Sequence, residues 1–308
     1  HKLTQHSFPG GSGYVSERLD TIGTEKVNPL IRIALPERSK RMSYELITLD
    51  YHDAYATITM NNPQRRNALS LKHMLELTRA LRTVGESDAR GVILAGNGPV
   101  FSAGHDFADA VGQDLAAMRR LLKVCTEMMD TIQEIPQPVL ARVHGLATAA
   151  GCQLVATCDL AVASTNAGFA TPGGKGGWFC TTPMVALSRN IGRKRALEML
   201  LTGDTIDART AYEWGLVNRV VSPEQLVEES QRLLEAATRG SWLSKGTGKQ
   251  AFYAQIDLPQ HQAYNHAIEV MASTSQLPDA QEGMQAFLEK RRPQFVSPPG
   301  RTETSSLK

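Results

Sequence analysis

The chain has 308 residues, of which 42% are hydrophobic and 21% are charged. This composition excludes fibrous, collagen-like and wholly disordered proteins and predicts a globular chain with one large core or two modest ones. The 33 basic and 31 acidic residues leave a net charge of +2, which gives no long-range field to attract nucleic acid or an anionic membrane. We therefore expect neither partner, and we expect any anionic ligand to be held by a local site.

The four cysteines form no C-x-x-C pair and lie mostly in apolar segments (Cys125, Cys152, Cys158 and Cys180). This usage predicts buried, reduced thiols in a cytosol-like compartment rather than a disulfide framework. We expect no membrane span, because no uninterrupted apolar run approaches about 18 residues, and no secretory leader. The predicted location is the cytoplasm, with the mitochondrial matrix as the alternative for a eukaryotic source.

Residues 1–41 differ from the rest of the chain. They mix glycine, serine, proline and charges of both signs, without a sustained apolar period. Such a pattern predicts a flexible N-terminal extension. The folded unit is then expected to begin at Met42, directly before the first predicted strand.

From residue 44 onward the pattern alternates between strand and helix. β-branched residues at alternating positions predict strands over 44–50 and 54–60, joined as a hairpin through residues 51–53. Ser70 is a predicted N-cap for an amphipathic helix, which is followed by a buried strand over 91–95. Asp114 is the predicted N-cap of a longer helix that ends before Pro136.

Strands continue to return after helices up to residue 222. Strands over 139–143 and 160–163 flank a helix over 151–157, which predicts a layered α/β core for residues 42–222. Beyond this point the strand pattern stops. The remaining residues, 223–308, predict a separate helical module with a short disordered tail; its helices are expected over 223–238, 243–255, 260–273 and 278–292.

Two loops rich in glycine and alanine are the candidate sites of chemistry, at residues 101–106 and 146–152. General motifs for hydrolase triads, zinc sites and dinucleotide binding do not occur, so we expect no metal and no cofactor. Small residues at a strand-to-helix turn let a ligand approach the backbone, and free N–H groups at a helix start face negative charge. Close packing of a helix on a strand is the commoner cause of one such loop taken singly, but two facing loops of this kind would form an oxyanion hole.

The order of several segments carries a family resemblance. They are Asn62-Pro63, Asn67-Ala68-Leu69, Phe101-Ser102-Ala103-Gly104-His105-Asp106, His144-Gly145-Leu146-Ala147, Phe169-Ala170-Thr171-Pro172, and the stretches 196–203, 211–217 and 282–291. From Tyr44 to Phe295 the chain resembles the enoyl-CoA hydratase/isomerase, or crotonase, family. Residues 104–106, 147–153 and 169–173 are most similar to one branch of that family found in animals.

The resemblance implies a spiral of ββα units with a C-terminal helical trimerisation region, assembled as a trimer or a dimer of trimers. It also implies an acyl-CoA thioester as substrate, whose carbonyl oxygen accepts hydrogen bonds from the backbone N–H groups of His105 and Ala150. Arg66, Ala68 and Leu69 are expected along the coenzyme A moiety. Phe287 and Lys290 are expected at its adenine or phosphates, from a neighbouring subunit. Further contacts with the substrate are expected from Ala103, Asp106, Phe107, Thr171 and Pro172, although Asp106 is also a predicted cap of the following turn.

The chain departs from the family at two positions. Hydratases of the family place two glutamates across the acyl chain, as acid and base for the addition of water. The matching positions here are Gln153 and Gly173; an amide exchanges no proton near neutral pH, and glycine has no side chain. Isomerases can instead supply a carboxylate about one turn later, where Cys180, Thr181 and Thr182 stand. An ordinary hydratase or isomerase mechanism is therefore not expected.

Three functions remain open from the sequence. The first is an acyl-CoA enzyme that stabilises an enolate without the glutamates, with Gln153 orienting water or the acyl group; decarboxylation of a malonyl-type CoA is its natural chemistry. The second is a specialised hydratase or isomerase in which another side chain carries the proton, the candidates being Asp106, His105, His144, Cys152 and Cys180. The third is a non-catalytic homologue that binds acyl-CoA.

Overall fold

The computed structural model describes residues 43–296. The predicted extension over 1–41 lies outside these residues, as does most of the predicted tail. Over the described residues the chain is a mixed α/β fold, which confirms the predicted class.

Ten strands of the described residues form two sheets. The larger sheet has six strands, in the order β1 (Ile47–His52), β2 (Tyr55–Met60), β3 (Gly91–Gly96), β5 (Val139–Val143), β7 (Leu160–Ser164) and β10 (Arg219–Val221). The smaller sheet has four, in the order β4 (Val100–Ser102), β6 (Leu146–Thr148), β8 (Gly168–Ala170) and β9 (Ile206–Asp207). Only the pairs β1 with β2 and β8 with β9 are antiparallel; the other neighbours are parallel.

The predicted hairpin is present, but its turn is later and tighter than predicted. The last pair of the β1–β2 ladder joins His52 to Tyr55, so only Asp53 and Ala54 form the loop. Asp53 has a φ of 52°, a conformation that aspartate tolerates better than most residues. The placement of Tyr51 and His52 in the turn was therefore wrong, because cross-strand pairing extends to His52.

The helices of the described residues cover both sheets. They are α1 (Leu71–Gly85), α2 (Leu115–Glu134), α3 (Ala150–Thr157), α4 (Pro183–Asn190), α5 (Arg193–Thr202), α6 (Ala208–Trp214), α7 (Leu226–Thr238), α8 (Trp242–Gln255), α9 (Gln260–Thr274) and α10 (Pro278–Leu288). Both predicted N-caps are confirmed. The Ser70 hydroxyl accepts a hydrogen bond from the His73 N–H at 3.2 Å, and the Asp114 carboxylate accepts one from the Ala117 N–H at 2.7 Å.

The last helix ends earlier than the predicted residue 292. Lys290 has a φ of 55°, a left-handed conformation that ends helices. The Arg291 N–H then donates to the Ala286 carbonyl at 3.0 Å. The chain therefore leaves the helix after Leu288.

Helix α7 covers one face of the larger sheet. Its Leu226 and Leu234 are buried in one cluster with Ile93, Leu140 and Val162, which lie on β3, β5 and β7. The start of the predicted C-terminal module is thus part of the layered core. The boundary at residues 222–223 stays a prediction.

A buried ion pair connects α8 to the core. The Lys249 ammonium contacts the Asp159 carboxylate at 2.7 Å and also donates to the carbonyls of Ile132 and Gln137. Tyr253 donates its hydroxyl to the same carboxylate at 2.8 Å. Between residues 43 and 296, no helix has the length and apolar character needed to cross a membrane.

Candidate functional site

The predicted site loops all follow strands of the smaller sheet. Strand β4 leads to His105, β6 leads to Ala150, and β8 leads to Gly173. These three strands are parallel neighbours, so their carboxyl ends lie at one edge of the sheet, where α/β proteins bind ligands. A cavity of about 480 Å³ opens there. It is lined by Ala103, His105, Phe107, Leu122, Thr148, Ala149, Ala150, Pro172, Gly173, Lys175, Gly176, Trp178, Phe179, Cys180, Thr181, Thr182 and Pro183.

Pairing with Leu69 fixes the direction of the His105 backbone. The Leu69 N–H donates to the Gly104 carbonyl at 2.7 Å, and the Asp106 N–H donates to the Leu69 carbonyl at 3.3 Å. In a parallel bridge, one residue bonds to the neighbours on both sides of its partner, and the partner's own N–H points away from it. The His105 N–H therefore points away from Leu69, and it has no backbone acceptor within the described chain.

Asn67 holds this loop together. Its buried side-chain amide donates to the carbonyls of Asn97, Val100 and Phe101 at 2.8, 3.2 and 3.1 Å. The backbone carbonyl of Asn67 accepts a hydrogen bond from the Ser102 hydroxyl at 2.9 Å. The residue has a φ of 51°, which asparagine tolerates. The sequence alone assigned no role to Asn67; these contacts make it the residue that positions the loop before His105.

The second loop begins α3 with a free N–H group. Ala150 is the first residue of the helix, and Ala149 before it has a φ of 49° and provides no side-chain cap. The Ala149 N–H is used, because it donates to the Ala170 carbonyl at 2.9 Å. The Ala150 N–H finds no backbone acceptor among residues 43–296, as expected for the first turn of a helix.

The two loops meet at glycines. A Cβ atom on Gly104 would lie 3.1 Å from the Ala150 nitrogen and 2.9 Å from the Thr148 carbonyl oxygen. A Cβ atom on Gly151 would lie 2.5 Å from the Ser102 carbonyl oxygen. Contacts this short leave no room for a side chain, so the loop that carries His105 is in direct backbone contact with the start of α3.

The two residues that the resemblance matches to the glutamates of hydratases, Gly173 and Gln153, leave no acid or base at the cavity. A Cβ atom on Gly173 would lie 2.2 Å from the Trp178 carbonyl oxygen and 2.8 Å from the Cys180 sulfur. Gln153 is buried, does not line the cavity, and has a side-chain oxygen without a partner in the described structure. Neither position offers an acid or a base to a ligand in the cavity.

Three of the candidate proton carriers do not line the cavity. Asp106 pairs with Arg65 at 2.7 Å and caps the following turn by accepting the Ala108 N–H at 3.1 Å, which confirms the predicted cap. The His144 ring shares a hydrogen bond of 2.8 Å with the Gly98 carbonyl. Cys152 is fully buried, and burial raises the pKa of its thiol to about 12.

Two candidates do line the cavity, His105 and Cys180. Burial raises the pKa of the Cys180 thiol, so the thiolate is disfavoured at neutral pH. Burial lowers the pKa of His105, which keeps its imidazole neutral. Both ring nitrogens of His105 are buried without a hydrogen-bond partner in the described chain, and the ring centroid lies 6.0 Å from that of Trp178.

Among the other predicted contact residues, Ala103, Phe107 and Pro172 line the cavity. Thr171 is fully buried beside it and does not line it. Arg66 is an exposed residue whose carbonyl accepts the Ala103 N–H at 3.0 Å.

The remaining predicted contacts lie away from the cavity lining. Ala68 and Leu69 are buried next to the His105 loop. Phe287, 83% exposed, borders a separate apolar groove of about 1100 Å³ between α8, α9 and α10. Lys290 follows α10 and is exposed. Within one chain, the structure does not bring Phe287 or Lys290 to the cavity.

The segment that borders the cavity after Gly173 was not predicted from the sequence. Lys175, Trp178 and Phe179 line the cavity and were given no role. The signal was present as four glycines between residues 173 and 177, since glycine-rich loops commonly approach ligands.

Comparison with known proteins identifies the family. The model of the enoyl-CoA hydratase/isomerase family matches residues 50–298. Enoyl-CoA hydratase domain-containing protein 3, mitochondrial, from Mus musculus is 45% identical over 245 residues, which cover 78% of this chain and 81% of the mouse protein. The protein of the same name from Homo sapiens is 42% identical over 251 residues, covering 80% of this chain and 82% of its own. These relatives are the animal branch that the motifs indicated.

Solved structures agree with this assignment. An enoyl-CoA hydratase from Mycobacterium smegmatis has a TM-score of 0.79 at 45% identity, covering 82% of this chain and 99% of its own. Human enoyl-CoA hydratase domain-containing protein 3 has a TM-score of 0.78 at 40% identity, covering 81% and 99%. The predicted crotonase fold is confirmed, while trimerisation stays a prediction. The chain belongs to the enoyl-CoA hydratase/isomerase family.

Proposed function

We propose that this protein is an acyl-CoA enzyme that binds the thioester carbonyl between the N–H groups of His105 and Ala150 and stabilises an enolate. The observation that supports the proposal is the close approach of Gly104 to the Ala150 nitrogen, beside a cavity that is lined by both His105 and Ala150. Fixed donors of this kind stabilise a developing oxyanion, each by about 3 kcal/mol. No metal or other cofactor is needed for this step.

The absence of both glutamates favours an enolate formed by loss of carbon dioxide. In a malonyl-type thioester, the bond between the α-carbon and the carboxylate breaks, and its electron pair moves into the thioester as the enolate. No base is needed for this step. The apolar part of the lining, which includes Leu122, Trp178 and Phe179, disfavours a carboxylate charge and therefore favours its loss. The lysine of the lining, Lys175, is paired with Asp204.

Self-association is part of the proposal. Met271 on α9 and Phe287 and Leu288 on α10 are 77, 83 and 74% exposed and border or adjoin the apolar groove between the C-terminal helices. Exposed apolar patches of this kind mark protein interfaces. A trimer or a dimer of trimers would cover them, and a neighbouring subunit would then supply Phe287 and Lys290 to the coenzyme A moiety.

The mitochondrial matrix is the proposed location. The relatives from mouse and human carry the word mitochondrial in their names. Their similarity supports the matrix over the predicted cytoplasm.

Product analysis tests the reaction. The purified protein is incubated separately with methylmalonyl-CoA, crotonyl-CoA and a 3-enoyl-CoA, and the products are identified by mass spectrometry. We expect loss of carbon dioxide from methylmalonyl-CoA and little hydration of crotonyl-CoA. Full hydratase rates would contradict the proposal, and tight acyl-CoA binding without turnover of any substrate would identify a non-catalytic homologue.

A proline at position 150 tests the oxyanion hole. Ala150→Pro removes the N–H at the first residue of α3, where proline costs no intrahelical hydrogen bond, and turnover is expected to fall at least about 100-fold. Leu115→Pro makes the same change at the first residue of α2, where the side chain is exposed, and should leave turnover unchanged. Circular dichroism and a thermal melt show whether each variant is folded. Wild-type turnover in a folded Ala150→Pro variant would refute the assignment.

A further inference from the structure

Among the described residues that line the cavity, His105 is the one whose polar side-chain atoms are all buried and unpaired. Both nitrogens are buried and have no hydrogen-bond partner in the structure over residues 43–296. Buried polar groups in proteins are nearly always paired, and an unpaired one destabilises the fold. A ligand that bonds to the ring would remove this penalty.

The other candidate proton carriers are unsuited to this role by position or by ionisation. Asp106 is engaged by Arg65, and His144 and Cys152 do not line the cavity. Cys180 lines it, but burial raises the pKa of its thiol. His105 is the remaining candidate.

We infer that the imidazole of His105 takes a proton from, and returns it to, the α-carbon of a thioester bound in this cavity. The inference rests on the proposed function, since the N–H of the same residue holds the thioester carbonyl next to that carbon. As the C–H bond breaks, its electron pair moves into the thioester to form the enolate, and the new N–H bond makes an imidazolium. In the reverse step the imidazolium protonates the α-carbon. After loss of carbon dioxide, the imidazolium protonates the α-carbon in the same way, with a proton that the ring has taken from water, and this gives the product.

The ring nitrogens make no hydrogen bond of normal geometry within the described chain. Turning the ring toward a ligand would give up only its interaction with the Leu69 carbonyl, which raises its pKa. The Trp178 ring, with its centroid 6.0 Å away, borders the same space. The α-carbon of a thioester lies one bond from the carbonyl carbon, so the proposal requires the His105 ring, which lines the same cavity, to reach that carbon.

The electrostatic surroundings keep the ring in the basic form. Burial lowers the pKa of His105, and the Leu69 carbonyl and the Asp109 carboxylate oppose this in part. Lys175 and Cys180 are the other titratable groups of the cavity lining. A neutral imidazole accepts a proton, so exchange is expected at neutral pH and should fall as the pH drops below the pKa of the ring.

Deuterium exchange tests the inference without a full reaction. Butyryl-CoA is incubated with the whole protein in D₂O, deuterium at the α-carbon is followed by mass spectrometry, and binding is measured by calorimetry. His105→Ala keeps the backbone N–H and removes the ring; it should still bind butyryl-CoA and exchange at least about 100-fold more slowly. Any deuterium exchange that remains in this variant should not become slower at low pH.

His144→Ala is the matched control, because it removes a histidine ring that does not line the cavity; it should exchange at the wild-type rate. Wild-type exchange in His105→Ala would overturn the inference. So would binding of butyryl-CoA by the wild-type protein without any exchange. Failure of the wild-type protein to bind butyryl-CoA would instead refute the proposed function on which the inference rests.

Discussion

Gly104 lies in backbone contact with Ala150, so that a Cβ atom on Gly104 would be 3.1 Å from the Ala150 nitrogen. The two residues are 46 positions apart and belong to different strand-to-helix connections of the smaller sheet. In the proposed function, this contact brings the N–H groups of His105 and Ala150 together as one donor pair. The separation of these donors therefore depends on the absence of a side chain at position 104.

Alanine at position 104 should disrupt this donor pair. Gly104 has a φ of 81°, which costs alanine about 1–2 kcal/mol, and the new methyl group would crowd the Thr148 carbonyl oxygen at 2.9 Å. We expect a lower melting temperature and loss of acyl-CoA turnover. Gly112→Ala is the control, because Gly112 has a φ of 75° but no atom within 4 Å of its Cβ position. Equal losses in both variants would show that backbone strain, rather than the contact, is responsible.

Local signals in the sequence predicted part of this fold. The caps at Ser70 and Asp114 were predictable because a hydrogen bond to an N–H three residues later needs only local sequence. Strands β4, β6 and β8 were missed because three residues are too few to show a period. The smaller sheet, which brings His105 and Ala150 together, was therefore found only in the structure. The family resemblance named these two residues without the sheet that positions them.

The lack of space for a side chain at position 173 could not be predicted from the sequence either. A vacant glutamate position can be read from Gly173, but the contact of its Cβ position with the Trp178 carbonyl oxygen depends on how the following loop folds. The same holds for Gln153, whose burial away from the cavity follows from the packing of α3.

A side chain at position 173 should destabilise the protein rather than restore hydration. Gly173→Ala places a Cβ atom 2.2 Å from a backbone oxygen, and we expect a loss of about 3 kcal/mol in the free energy of unfolding. Gly176→Ala, in the same loop, meets only the Gly173 carbonyl oxygen at 3.7 Å and should change stability by less than about 0.5 kcal/mol. Urea unfolding followed by fluorescence compares the two. A stable Gly173→Glu variant with hydratase activity would contradict this account of the cavity.

Gln153→Glu should fold without gaining substantial hydratase activity. The new carboxyl would be buried without a described partner, and burial raises the pKa of such a group. Since its folded-state pKa would lie above the unfolded value of about 4.3, stability should fall as the pH rises from 5 to 8. Gln153→Met removes the unpaired oxygen and should show no such added pH dependence. Thermal melts across this pH range measure both variants, and a pH-independent Gln153→Glu variant would show that the position is hydrated.

Charged residues on the apolar face of the C-terminal helices should abolish association between subunits. Met271→Glu combined with Phe287→Glu puts carboxylates on two residues of the groove that are 77 and 83% exposed, so the fold of one subunit should persist while association is lost. Val227→Glu alters an apolar residue of α7 that is 61% exposed and outside the groove, and it should leave assembly unchanged. Size-exclusion chromatography with light scattering measures the mass of each. A monomeric wild-type protein would refute the proposed assembly.

Lys249 and Asp159 should stabilise the packing of α8 on the core only while both charges are present. Their side chains are 7 and 13% exposed, and burial raises the pKa of Asp159 while it lowers the pKa of Lys249. Lys249→Met leaves the carboxylate without its cation and should cost about 3–5 kcal/mol in the free energy of unfolding. Adding Asp159→Asn should recover part of this loss, because the uncompensated charge is then gone.

The matched control for this pair lies on the surface. Arg209 and Glu213 form an ion pair one turn apart on α6, with side chains 73 and 55% exposed, where solvent screens the attraction. Arg209→Met should therefore leave the urea midpoint within experimental error. A loss for Lys249→Met as small as that for Arg209→Met would show that water reaches the Asp159 carboxylate, and that the apolar contacts of α8, rather than the ion pair, hold the helix on the core.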